Sequence, residues 1–147
     1  MRYLIMVPGN DESEKGMQPE NAEQDREMFA QMNRFNEELL KAGVMVAGEG
    51  LQPTSKGFKL TFGRGKQTVT DGPFAESKEL IAGFWIIKVK SHSEAINWMK
   101  RAPFPEGLTL VARRLYELDD FGDTLTPELR AEEERHREMA LANARKT

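Results

Sequence analysis

Ala82-Gly83-Phe84-Trp85-Ile86-Ile87-Lys88-Val89, residues 82–89, is the stretch from which the fold can be read. Apolar side chains at nearly every position predict a strand buried on both faces, and so one in the middle of a sheet. Directly after it, Ser91 and Glu94 stand at the spacing of a helix-capping box, and Ala95, Ile96 and Met99 supply the buried stripe of a short helix that Pro103 ends. Residues 108–118 then read as a last strand, with Leu110, Ala112 and Tyr116 on one side and Val111, Arg113 and Leu115 on the other. The unit is strand, helix, strand.

The same unit stands upstream. Arg2-Tyr3-Leu4-Ile5-Met6-Val7 is again apolar at almost every position and is stopped by Pro8-Gly9-Asn10. Residues 11–21 are polar, contain Gly16 and Pro19 and follow no period, which predicts a surface loop. In residues 22–42, Met28, Met32, Phe35 and Leu39 fall on one helical stripe, with the two methionines expected as core filler and Gly43 as the stop. Residues 44–51 start as a second strand and end in Gly48-Glu49-Gly50. Between the two units, Phe58, Leu60 and Phe62 alternate with Lys59 and Thr61, and Gly63-Arg64-Gly65-Lys66 leads into Gln67-Thr68-Val69-Thr70, a hairpin signal. Two split strand-helix-strand halves with a hairpin between them are the α+β, ferredoxin-like βαββαβ arrangement. This assigns residues 1–118 to one domain. Residues 119–147 form a separate charged extension, in which Thr126 caps a helix and acids and bases stand ready to pair at i, i+4, as Arg130 with Glu134 and Glu133 with Arg137.

Composition narrows the chemistry. The chain has 147 residues, with 21 Lys and Arg against 24 Asp and Glu and a formal charge of -3. That mild acidity argues against direct nucleic-acid binding, which usually needs a basic face. The absence of Cys excludes disulfides, thiolate metal ligands and thiol nucleophiles. No apolar run approaches the ~20 residues of a membrane helix, so a cytoplasmic, membrane-free protein is expected. His92 and His136 stand apart with no ligand spacing around them, so both are expected in structural or surface roles, without a metal. No Gly-x-Ser-x-Gly elbow occurs, and Gly63-Arg64-Gly65 lacks the strand-to-helix setting of a dinucleotide loop, so no cofactor is expected.

Asp71-Gly72-Pro73-Phe74-Ala75-Glu76-Ser77-Lys78-Glu79, followed by Gly83-Phe84-Trp85, resembles the signature of the DGPF family of YCII-related proteins. Agreement extends upstream through Gly48-Glu49-Gly50-Leu51-Gln52-Pro53 and downstream through Glu94-Ala95-Ile96-Asn97-Trp98 to Arg113. The resemblance implies ferredoxin-like domains that pair their sheets into a dimeric α/β barrel. Two departures stand out. Related proteins carry a His near the first helix that is proposed to act with an Asp, whereas this helix has no His, so that mechanism is not carried over. The Glu of the family's last strand is Val111 here, while Arg113 keeps the basic position.

Read as chemistry, Asp71 before Gly72-Pro73-Phe74 either fixes a turn or sits with Glu76 and Lys78 at the mouth of a cleft, where a carboxylate beside an ammonium can act as a base or hold a polar substrate. Glu76 and Lys78 read equally well as a solvated connector. Glu49 between two glycines is a hairpin partner or a ligand group. Arg113, within an otherwise apolar strand, is an interface residue or a clamp for a substrate carboxylate. The leading expectation is a small-molecule binder or enzyme with these five residues as its polar set. The competing one is a non-enzymatic interaction module, which fits the resemblance because genes of this family often neighbour sigma-factor genes. A homodimer underlies both, burying the sheet's helix-free face with Phe58, Leu60, Phe84 or Trp85.

Overall fold

The computed structural model describes residues 1–74 and 80–144, which divide into two compact units, Met1–Arg114 and Leu115–Thr147. In the first, strands β1 (Arg2–Pro8), β2 (Met45–Gly50), β5 (Ile81–Lys88) and β6 (Val111–Arg114) form one sheet in the order β2-β5-β1-β6. Every neighbouring pair in it is antiparallel. With α2 (Ala22–Lys41) between β1 and β2 and α3 (His92–Met99) between β5 and β6, this is the ferredoxin-like βαββαβ topology. Strands β3 (Phe58–Phe62) and β4 (Gln67–Asp71) form the inserted two-stranded sheet.

Residue alternation along β1 and β5 divides the large sheet into two faces. Tyr3, Ile5, Trp85, Ile87 and Val89 point to the helices and pack with Phe35 and Leu39 of α2 and Ala95 of α3. Ile5, Leu39 and Ile87 are completely enclosed. Burying each such side chain is worth about 1.5–3 kcal/mol, so these contacts hold the sheet to its helices. Trp85 stands edge-on to Phe35 with ring centroids 5.8 Å apart, and its indole N–H donates to Asn36 Oδ1 at 2.9 Å. That satisfied polar atom lets an indole fill the core without an orphan donor. Trp85 is therefore a core residue and not part of the helix-free face, because it is one residue out of phase with Phe84.

Register fixes what the other face carries. Glu49, Phe84, Met6 and Val111 lie in one row across the four strands, and Ala47, Ile86, Leu4 and Arg113 lie in the next. Gly48 has no room for a side chain, since a Cβ there would lie 2.6 Å from Trp85 Cδ1. The glycine thus admits the indole rather than another backbone, and it turns Glu49 to the helix-free face.

Several elements differ from their sequence reading. Residues 11–21 are not an unstructured loop: helix α1 (Asp11–Lys15) opens with Asn10 and Ser13 capping each other reciprocally, and a short 3-10 turn occupies Pro19–Asn21. Ser at the third helical position replaces the Glu or Gln that makes such boxes easy to recognise. Met28 is 52% exposed and Met32 only partly buried, because the core ends at Phe35 and Leu39. The last strand pairs over Val111–Arg114 alone. In α3 the Ser91 hydroxyl accepts from the Glu94 N–H, but the Glu94 carboxylate accepts from the Lys90 N–H rather than from that of Ser91.

In the second unit a 3-10 segment (Leu118–Thr124) precedes α4 (Pro127–Ala144), and the Thr126 hydroxyl accepts from the Leu129 N–H. The expected i, i+4 pairs do not form. Arg130 turns back to Asp119 at 3.0 Å and to the Leu118 carbonyl at 3.3 Å, and Arg137 lies 3.7 Å from Glu117. A preceding segment folded against the helix offers acceptors that compete with the weak pairing along it.

Ile87→Ala should lower stability in urea unfolding by about 3 kcal/mol through cavity formation, whereas Val111→Ala, on the open face, should cost less than about 1 kcal/mol.

Candidate functional site

Asp71 closes β4, directly opposite Phe58 and on the same hairpin face as Leu60 and Val69. Its carboxylate is exposed and makes no side-chain hydrogen bond or ion pair among the described residues. Among the described residues it therefore makes no bond that ties down its own turn. Other groups do that work.

Gly72 N–H donates to the Gly57 carbonyl at 2.9 Å, which closes the hairpin base. Gly72 also passes against the segment Thr54–Lys56 so tightly that an added Cβ would lie 1.8 Å from the Thr54 carbonyl oxygen. On the far side of the turn, the Phe74 N–H donates to the Thr54 hydroxyl oxygen at 3.2 Å. That hydroxyl donates to Glu14 Oε2 at 2.5 Å, and the Thr54 N–H adds a bond to the same carboxylate at 3.1 Å. A charged acceptor makes such bonds stronger than neutral ones. Phe74 lies beneath the Lys59 ammonium, 4.5 Å from ring centroid to Nζ. Glu14, Thr54, Gly72 and Phe74 thus hold the turn from both sides without drawing on the Asp71 carboxylate.

Glu14 and Thr54 are absent from the sequence reading. Glu14 lies in a stretch whose composition predicts a loop, and no spacing links it to Thr54 forty residues later. The Asn10–Ser13 cap is the one signal that points to Glu14, since it presents that residue from a helix.

Two of the other candidates stand on the four-stranded sheet rather than on the hairpin that carries Asp71. Glu49 and Arg113 share the helix-free face, but they stand on its outermost strands with β5 and β1 between them, roughly 14 Å apart across the sheet at ~4.8 Å per strand and one row apart along it. Both are exposed. Glu76 and Lys78 lie outside the described residues. His92 places Nδ1 3.1 Å from the Tyr3 hydroxyl, and His136 lies 3.9 Å from Glu132. Among the described residues no three His, Asp or Glu side chains gather as a metal site would require. None of the described helices is long and apolar enough to cross a membrane.

Perturbed carboxylates lie elsewhere, on exposed helix surface. A hydrogen bond and the charge of Lys41 hold Glu37 below the ordinary carboxylate range, and its own backbone N–H and the Thr126 hydroxyl do the same for Glu128. Such shifts mark local pairing rather than a reactive centre.

Comparison with known proteins places this architecture. Residues 1–118 match the YCII-related domain. An uncharacterised protein of Rhizobium meliloti is 31% identical over 78 residues, which are 53% of this chain and 63% of that protein, so the chain spans less than two thirds of that relative's length. Among solved structures, the 5-chloro-2-hydroxyhydroquinone dehydrochlorinase of Burkholderia phenoliruptrix, in complex with 2,5-dihydroxybenzoquinone, aligns over 82% of this chain and 98% of its own, with 16% identity and a TM-score of 0.43. The domain match runs over most of the sequence and takes in the whole βαββαβ unit with its hairpin, and the chain belongs to the YCII-related family.

Proposed function

We propose that this protein binds, and through Asp71 acts on, a small polar molecule beside the DGPF turn. The observation that carries the reading is the contrast between a tightly held backbone and a carboxylate that the same hydrogen bonds do not use. Glu14, Thr54 and Phe74 fix the turn through a chain of hydrogen bonds, charge-assisted at Glu14, while Asp71 at its entrance has no partner among the described residues. Positioning a carboxylate without neutralising it suits a general base or an acceptor for a substrate hydroxyl or amine. In this reading Glu76 and Lys78 complete the rim.

Glu49 and Arg113 belong to a second part of the proposal, a homodimer. The helix-free face presents Leu4, Met6, Phe84, Ile86 and Val111, bordered by Glu49 on one edge strand and Arg113 on the other. The hairpin adds Phe58, Leu60 and Phe62, all exposed, with Phe62 at 73%. Contiguous apolar surface of this kind favours association, and a second copy would give each edge charge an opposite charge to meet.

An interaction role is the alternative. What favours it is α4, where Leu129, Met139 and Leu141 are exposed while Arg130 and Arg137 are engaged by the preceding segment. A helix with open apolar positions can offer them to a protein partner.

In a thermal-shift panel of small hydroxy, amino and carboxylic compounds, at least one should raise the melting temperature of the wild type and have no effect on Asp71→Ala. A panel with no response, or an identical response in the variant, would remove Asp71 from the site. Thr54→Val, which deletes the bridge between Glu14 and Phe74, should weaken that response while leaving the protein folded by circular dichroism. Light scattering at micromolar concentration should give twice the 16.7 kDa chain mass, and Phe84→Lys should return the monomer.

A further inference from the structure

Helix α3 lies over β1 and β6 without filling the space beneath it. Ala95 on the helix and Ala112 on the edge strand line the same gap, and their short side chains leave a cleft of about 320 Å³. Ile96, Met99, Leu108 and Leu110 give it apolar walls. The stripe expected to be buried beneath α3 is thus partly a cleft wall, and Ile96 is 42% exposed for that reason. A volume of this size lies at the lower end of small-ligand sites, which combine apolar walls with a few polar groups.

The two ends differ. At the start of α3, His92 Nδ1 and the Tyr3 hydroxyl lie 3.1 Å apart and engage each other. Near its other end Lys100 contributes a fixed positive charge with no carboxylate partner among the described residues. His92, Ala95, Ile96, Met99 and Lys100 follow the spacing of one helical stripe, so the cleft runs along the helix. From the first to the last of them is ~12 Å at the rise of an α-helix, which makes the space elongated.

We propose that this cleft is a binding site for a monocarboxylate with an unbranched apolar chain of medium length. The chain would lie between Ala95 and Ala112, and the carboxylate would meet the Lys100 ammonium. Neither a compact polar molecule nor an uncharged alkane uses both features. The site is built from different elements than the DGPF turn and does not depend on the reading given for Asp71.

Titration of the full chain with decanoate, followed by NMR, tests this, with decanol as the uncharged counterpart. Decanoate should shift the signals of Ala95, Ile96, Met99 and Ala112 saturably at concentrations well below its micellisation, and decanol should bind more weakly. Lys100→Gln should raise the Kd for decanoate about fivefold, the size expected for one partly exposed charge pair. Ala112→Leu, at an exposed edge-strand position, should fill the cleft and abolish the shifts with the fold intact. Asp71→Ala should bind decanoate as the wild type does, which separates this site from the one at the turn. Absence of saturable shifts, undiminished binding by Ala112→Leu, or equal binding of decanol and decanoate with no effect of Lys100→Gln would each overturn the assignment.

Discussion

The antiparallel pairing of β1 with β5, running from Arg2 opposite Lys88 to Pro8 opposite Ile81, sets the identity of both faces of the molecule's main sheet. Strand side chains alternate, so this one register places Tyr3, Ile5, Trp85 and Ile87 under the helices and Leu4, Met6, Phe84 and Ile86 on the other side. A slip of one residue would exchange the two sets. Two details protect the register. Trp85 reaches a hydrogen-bond partner on α2, and Gly48 on the neighbouring strand leaves room for the indole.

The pairing also separates charged groups among the described residues. Glu49 and Arg113 are carried to opposite edges of one apolar face. Asp71 stands on a separate hairpin, and its turn is secured by Glu14 and Thr54, residues distant from it in sequence. Glu49, Arg113 and Asp71 are therefore presented from three separate places on the backbone.

The order of elements along the chain and the central position of β5 are legible in the sequence, because a short apolar run without alternation, followed by a capped helix, belongs in the middle of a sheet. The faces of that strand are less legible. Such a run does not say which of Phe84 and Trp85 points inward, and only pairing with β1 and the space above Gly48 decides it. Helix α1 is hidden because Asn10 and Ser13 cap with an unusual third residue, and the Glu14–Thr54–Phe74 network is hidden with it. The ion pairs of α4 are obscured for a related reason. Spacing within a helix reveals its neighbours at i, i+4, but not the competing acceptors Asp119 and Glu117 supplied from outside it. For the candidate site, sequence locates the DGPF turn and the family, whereas the groups that hold the turn depend on contacts between segments forty and twenty residues apart.

The packing, the proposed dimer and the placement of Glu49 and Arg113 all rest on the division of the sheet into a sealed face and an open one. Methyl NMR with a soluble paramagnetic agent measures it directly. Ile5 and Ile87 should be unaffected at every protein concentration, while Leu4 and Ile86 should be attenuated in dilute solution and become shielded as concentration rises. Attenuation of Ile5 and Ile87, or equal shielding of both sets at every dilution, would contradict that division.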